Sequence, residues 1–341
     1  PVRSDPRKAT AAKVAVQVFD KSGKALGEAQ AISVRAMSAG GISVAPADAQ
    51  ETAVAWAARD AGDPQVFVTK VGADGKKKAQ RMLTRAKGDV QDVAIAWAGD
   101  GWVVAWVDYR DGNGEVYATK VDKNLRTTVA DTRLTNAAGD AADVSLLVRG
   151  KEVFVTYSDP RDHPDTGNAD VFIQKLSAAN LVRVGDEARM ALTPLHSRSP
   201  KLSQIGDSLF AGWIEQVVNE SKTEGITPGV KFIRLDASTG RPLGALMSSS
   251  QTETINPTGL ALGCDEEGCK VVMSVATDEG TRLDAFPFAP SRRTFDPVVL
   301  TVLGGGPSQD VSPVVIGDNV YYVDDINTGD TRIRRAQVKW R

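Results

Sequence analysis

Residues 106–121 read WVDYRDGNGEVYATKV. Trp106 closes one apolar run, GWVVAW, and Val116 opens another, VYATKV. The second run alternates with a period of two residues, the mark of a strand whose two faces meet different surroundings. Between the runs lie Gly112 and Gly114 among Asp, Arg and Asn, a mixture that favours a turn. The stretch therefore predicts a β-hairpin. Its loop also carries oxygen ligands for a cation and a guanidinium for an anion, so the turn has to be weighed against a site.

Copies of the stretch decide the architecture. AVAW at 53–56 and VVAW at 103–106 lie fifty residues apart, and VFVTKV at 66–71 and VYATKV at 116–121 keep that spacing. RMLT at 81–84 matches TRLT at 132–135 after a one-residue shift. Further units read VFVTYSDPRD (153–162) with DVFIQKL (170–176), LFAGWIEQ (209–216) with VKFIRLD (230–236), KVVMSVATDEG (270–280) with RLDAFPF (282–288), and VYYVDDINTGD (320–330) with RIRRAQVKW (332–340). Each unit predicts four antiparallel strands, A to D, over about fifty residues, the size of a propeller blade. Strand B carries the Trp run and strand C the VYATKV run.

The expected fold is all-β, a β-propeller of six four-stranded blades. The chain is expected to be a single domain over 1–341, with blades near 42–91, 92–141, 142–197, 198–255, 256–310, and 311–341 joined by 13–36. The last unit ends on strand C and the chain begins with a lone strand at 13–23. Placing both in one blade would close the ring and remove two sheet edges. SDPR at 4–7 repeats at 158–161, between strands B and C, so the first strand is C-like and a seventh blade is the competing count.

The pattern VVAWVDYRDGNGEVYATKVD and its copies resembles bacterial exported β-propellers of the sialidase-like and TolB-like type. The turns FDKSG, GADG and LDASTG sit where sialidase-like propellers carry an Asp-box, without that box's later tryptophan. The resemblance implies a fold and not an activity.

Loops between strands B and C are expected at one mouth of the central channel. Arg59, Arg110 and Arg161 fall there, with Asp108, Asp159 and, in the fourth unit, Glu215. Converging arginines would clamp a carboxylate bidentately. In a sialidase-like enzyme an acid/base carboxylate and a tyrosine nucleophile would be added, for which Tyr109 and Tyr157 are near. The structural reading competes: Asp108 and Asp159 bond turn amides, and each arginine pairs with an aspartate. A residue repeated in successive blades suits a per-blade role, so no catalytic residue is assigned. The acidic loop 159–170 could present Asp162, Asp165, Asn168 and Asp170 to calcium; otherwise no cofactor is expected. His196 is read as a loop residue. The insertions at 159–170 and 215–229 break the repeat and mark the expected binding surface.

Bulk properties exclude several classes. The chain has 341 residues, a net charge of −2 and 42% hydrophobic residues. Without basic excess, nucleic acid is not an expected partner, and no run approaches the ~20 apolar residues of a membrane helix. Nucleophile-elbow and P-loop motifs are missing. Cys264 and Cys269 flank a polar turn and are expected to form a disulfide, which favours an exported location: periplasm, cell surface or outside. The leading functional expectation is a non-enzymatic exported scaffold binding a protein or a glycan. The alternatives are a sialidase-like or other glycan-active hydrolase, and a subunit of a cell-envelope assembly.

Overall fold

The computed structural model describes residues 14–338 apart from 21–23, 34–37, 60–61, 219–227, 250–255, 266–267, 278–279, 289–293, 296–297, 301–311 and 326–330. All helices and strands among the described residues are strands. The chain forms two compact units, Pro1–Val155 with Leu176–Arg183, and Thr156–Lys175 with Val184–Arg341.

A short pair, β1 (Ala15–Val16) and β2 (Gln30–Ala31), precedes six sheets. The first blade holds β3 (Ser38–Pro46), β4 (Glu51–Arg59), β5 (Gln65–Gly72) and β6 (Lys77–Met82). The second holds β7 (Val90–Trp97), β8 (Gly101–Asp108), β9 (Glu115–Asp122) and β10 (Thr127–Arg133). The third holds β11 (Ala142–Arg149), β12 (Glu152–Asp159), β13 (Asp170–Ser177) and β14 (Ala188–Arg189). In the fourth are β15 (His196–Ile205), β16 (Ser208–Gln216), β17 (Gly229–Leu235) and β18 (Pro242–Ser249). The fifth starts with β19 (Asn256–Asp265), β20 (Gly268–Thr277) and β21 (Gly280–Phe288). After it comes β22 (Thr294–Phe295), which pairs in parallel with β18, and then β23 (Val298–Leu300), which completes the fifth blade. The sixth blade shows β24 (Val314–Ile316), β25 (Asn319–Asp325) and β26 (Thr331–Gln337) among the described residues. Each sheet is an up-and-down meander, the blade of a β-propeller.

Strand alternation builds the core between blades. On β4, Ala53, Ala55 and Ala57 face Val93, Ile95, Trp102, Val104 and Trp106 of the second blade, while Val54, Trp56 and Ala58 turn the other way, onto Val14 and Ile32. Small residues on one sheet admit tryptophans from the next, and each large side chain so buried contributes roughly 1.5–3 kcal/mol. In the second unit, Phe210, Ile214 and Phe232 of the fourth blade meet Leu260, Val271 and Met273 of the fifth.

Two further recurrences have per-blade work. The lysine of TKV and QKL reaches a carbonyl in the next turn region: Lys70 Nζ bonds Lys123 O at 2.9 Å, Lys120 bonds Ala178 O at 2.7 Å, and Lys175 bonds Ser238 O. The threonine of RMLT and TRLT locks strand D to strand C. Thr84 Oγ1 accepts Val66 N–H at 2.9 Å and Thr135 Oγ1 accepts Val116 N–H at 2.8 Å.

The innermost strands of the first four blades each carry a left-handed residue. Gly41, Asp92, Asp143 and Ser199 have φ of 54°, 50°, 57° and 53°, at register breaks where these are described. The left-handed backbone costs a non-glycine residue roughly 1–2 kcal/mol. Asp92 recovers part of it, because its Oδ2 accepts Asp143 N–H at 2.8 Å.

The amino-terminal segment holds a strand pair. Among the described residues β1 pairs with β2, and the sixth sheet runs β24–β25–β26. The segment therefore holds two paired strands among the described residues. The SDPR copy at 4–7 lies outside the described residues.

Candidate functional site

The loop between β8 and β9 is a braced turn. Asp108, fully buried, accepts Trp106 Nε1–H at 2.8 Å, Arg110 N–H at 2.9 Å and the Arg110 guanidinium at 2.6 Å. Arg110 spends its other amine on Asp131 at 2.5 Å and lies over the Tyr117 ring. Burial alone would lower the Arg110 guanidinium, but Asp108 and Asp131 hold it above its usual value. Burial, and then Asp111 at its hydroxyl, push Tyr117 up to about 12.

Glu115 opens β9 directly across from Asp108. It is buried and satisfied: it accepts from Arg133 at 2.7 Å, Asn113 at 3.0 Å, Ala137 N–H at 3.2 Å and the Thr135 hydroxyl.

The third blade repeats this scaffold. Asp159 accepts Arg161 N–H at 2.9 Å and its guanidinium at 2.6 Å. Arg161 reaches Glu187 at 2.6 Å and lies over Phe172. Arg189 bonds Asp162 at 2.6 Å, as Arg133 pairs with Asp111. Aligning ADTRLT (130–135) with DEARMA (186–191), and NGEVY (113–117) with NADVF (168–172), gives the correspondence.

Where the copies differ, the third blade is left incomplete. Asp170 stands for Glu115 and is one methylene shorter, and Ala191 stands for Thr135. Asp170 is fully buried; Oδ2 meets His163 Nε2 at 3.2 Å and Arg189 at 3.6 Å, and Oδ1 has no hydrogen-bond partner. Burial raises its pKa, opposed by His163 and Arg189. Glu187 stands for Asp131 and is one methylene longer; burial pushes it up to about 7 while it holds Arg161 and the Tyr157 hydroxyl. In the adjoining fourth blade, Glu215 accepts Trp213 Nε1–H at 3.3 Å; its Oε2 lacks a hydrogen-bond partner and lies 3.7 Å from Lys231. Burial raises Glu215, opposed by Lys231, with Asp170 adding to the rise. Thr193 leans on both carboxyls, through its hydroxyl to Glu215 and its backbone to Asp170. Three carboxyls biased toward the protonated form therefore lie in the second unit, Asp170 and Glu215 near enough to act on each other.

Several expected positions read differently. Arg59 is exposed at the end of β4. Arg110 and Arg161 are each consumed by two carboxylates of their own blade. For calcium, Asp162 and Asp170 both face the Arg189 cation, Asn168 turns its amide N–H to Pro194 O, and Asp165 is exposed. Among the described residues no three His, Cys, Asp or Glu side chains are grouped to hold a metal. Tyr109 is raised by burial, then by Asp140, Asp92 and Asp89, and Tyr157 is buried against Glu187. His196 begins β15 and accepts Ala169 N–H at 3.1 Å. Most of the insertion at 215–229 lies outside the described residues. Cys264 and Cys269 face each other in the β19–β20 hairpin and are joined, with Cα atoms 4.0 Å apart. No helix among the described residues is long and apolar enough to cross a membrane.

No protein-family model and no curated protein matches the chain. Solved structures do. The α-L-arabinofuranosidase of Fusarium graminearum in complex with arabinobiose superposes with a TM-score of 0.56 at 9% identity, over 88% of this chain and 93% of that one. The Penicillium chrysogenum α-L-arabinanase gives 0.55 at 10%, over 87% and 93%. The subtype N10 neuraminidase-like protein of A/little yellow-shouldered bat/Guatemala gives 0.54 at 11%, over 87% and 92%. The fold is a β-propeller, similar to those of these structures. The leading expectation of a non-enzymatic scaffold is corrected by these neighbours, several of which are glycoside hydrolases and fit the glycan-active alternative better. At such identities the likeness itself is one of fold.

Proposed function

We propose that the protein is a glycan-active hydrolase built as a single propeller domain, with its chemistry in the second unit. The observation that carries this reading is that Asp170 and Glu215, both buried, and Glu187, half-buried, are all raised by desolvation. Glycoside cleavage needs one carboxyl that stays protonated near neutrality and a second that supports the developing cation. Glu187 suits the proton donor, because it sits near 7 and its side chain keeps 20% exposure, whereas Asp170 and Glu215 keep none.

The substrate class follows from charge. Arg161 and Arg189 are committed to carboxylates, so the cluster offers no spare fork for an acidic sugar. Neutral glycans fit better than sialosides. Arg59 remains a candidate ligand contact, whereas Asp108, Arg110 and Asp159 brace the blade. The disulfide supports an exported location.

The test is hydrolysis of a panel of neutral oligosaccharides, arabino-oligosaccharides included, and of sialosides. Wild type should cleave a neutral substrate, Glu187→Gln should lose roughly 100-fold or more in kcat, and folded Arg110→Ala should keep its activity. Cleavage confined to sialosides, or full activity in Glu187→Gln, would refute the assignment.

A further inference from the structure

Two hydrogen bonds tie the residue just before strand C to the connection that leads into the next blade. Gly114 O accepts Ala141 N–H and Ala169 O accepts Ser197 N–H, each at 2.8 Å. In return Gly114 N–H bonds Asp140 Oδ1 at 2.7 Å, and Ala169 N–H bonds His196 Nδ1 at 3.1 Å. An asparagine braces each junction: Asn113 donates to Ala137 O at 2.9 Å and Gly139 O at 3.0 Å, and Asn168 donates to Pro194 O at 2.7 Å. His196 therefore stands where Asp140 stands, immediately before the residue whose amide closes the pair. The next residue along strand C is Glu115 in one blade and Asp170 in the other. The acid with an unpartnered oxygen is thus also the one whose loop is clasped by a histidine.

The two acceptors differ in chemistry. A carboxylate accepts at every pH above its own titration, whereas an imidazole nitrogen accepts only while the ring is neutral, because a protonated histidine donates from both nitrogens. A backbone amide can only donate. Nδ1 of His196 must therefore hold its lone pair toward Ala169, and the neutral ring carries its proton on Nε2. One added proton sets two N–H groups against each other and takes this acceptor from the Ala169 amide, on a buried residue. His196 is half-buried and within reach of solvent protons. The charged groups packed around the junction are Asp170, with His163 and Arg189 on its Oδ2, and Glu215, opposite Ser197 across β15 and β16, with Lys231 beside it. Gln216, directly opposite His196, is neutral.

We propose that His196 is a positioning residue for Asp170, and that its neutral imidazole is the clasp that seats residues 168–170 against the start of β15. The seat holds while the ring is neutral and loosens as the ring takes a proton. Asp140 makes the same clasp in the second blade with a group that does not titrate near neutral pH. The consequence for catalysis rests on the hydrolase reading, in which Asp170 is one of the raised acids; the clasp itself does not.

The experiment is amide hydrogen exchange on the whole chain between about pH 5 and about pH 8, the range in which histidine changes charge, corrected for the intrinsic pH dependence of exchange. Protection of the Ala169 amide should fall about tenfold or more toward the acid end, while that of Gly114 stays level. His196→Asn keeps an acceptor oxygen near the place of Nδ1 and cannot titrate, so its Ala169 amide should stay protected throughout. His196→Ala should expose that amide at both ends of the range. Wild-type protection at Ala169 as level as in His196→Asn, or an equal loss at Gly114, would overturn the clasp. In hydrolysis, His196→Ala should lower kcat about tenfold with KM little changed, and His196→Asn should restore kcat and flatten the acid limb of the pH profile. Unchanged kcat in His196→Ala, beside active wild type, would overturn the role in catalysis. A wild type that cleaves no glycan would count against the hydrolase reading, and the exchange data alone would then decide the clasp.

Discussion

The second and third blades share one scaffold and treat one buried acid in opposite ways. Glu115 is enclosed by four donors, one of them the guanidinium of Arg133. Asp170, at the same place, keeps one oxygen unpartnered and has its pKa raised by burial. The difference comes from a lost methylene and from Ala191 in place of a lock threonine. A repeated residue whose partners are all present stabilises the blade. The same residue with one oxygen left unpartnered carries a less favourable charge, the condition in which burial shifts a carboxyl toward its protonated form.

The largest effect should come from breaking the complete copy. Glu115→Ala leaves Arg133 and Thr135 facing a void and should cost about 3–5 kcal/mol, whereas Asp170→Asn should change stability by less than about 1 kcal/mol at pH 7. Urea unfolding of both variants measures the gap. Equal losses would erase the distinction between the blades.

Arg110→Ala should follow, at about 2–4 kcal/mol, because it strands Asp108 in the interior. Calorimetry should show the lowered unfolding temperature, and activity per folded molecule should be unaltered.

Repairing the incomplete copy is the smaller change. Ala191→Thr should restore the lock on Val171 N–H and add roughly 0.5–1.5 kcal/mol. A drop in stability would mean that the third blade has no room for the lock.

The smallest effect is a slope. The folded pKa of Glu187 lies above its unfolded value, so its contribution to stability is complete below about 4.5 and is lost as pH rises toward about 7. Glu187→Gln should therefore gain unfolding temperature relative to wild type between pH 5 and pH 8. Two melting curves that stay parallel over that window would place its titration elsewhere.

Much of this was legible in the chain. The fifty-residue repeat, the strand pairs around each turn and the disulfide all follow from spacing, because alternation and turn residues act locally. Asp108 and Asp159 were readable as turn braces for the same reason. The three raised acids are harder to read from the chain. The sequence pattern gives Asp170 as a calcium ligand and Glu215 as a channel contact, and gives Glu187 no role. Its signal was present in the alignment of ADTRLT with DEARMA, where one acid is exchanged for a longer one. Its consequence was not, because the pKa depends on what buries the carboxyl. The left-handed residues Asp92, Asp143 and Ser199 also escaped, since nothing local demands that backbone there.

From sequence alone came the class of fold, the order of strands and the division of each unit into braced turn and return strand, all products of short-range periodicity. Tertiary structure decided which copies of a repeated residue are satisfied and which are stranded. It also decided that the amino-terminal segment folds back on itself, β1 pairing with β2. Partners of a buried charge come from strands far apart in the chain, and only the packed sheets bring them within hydrogen-bond reach.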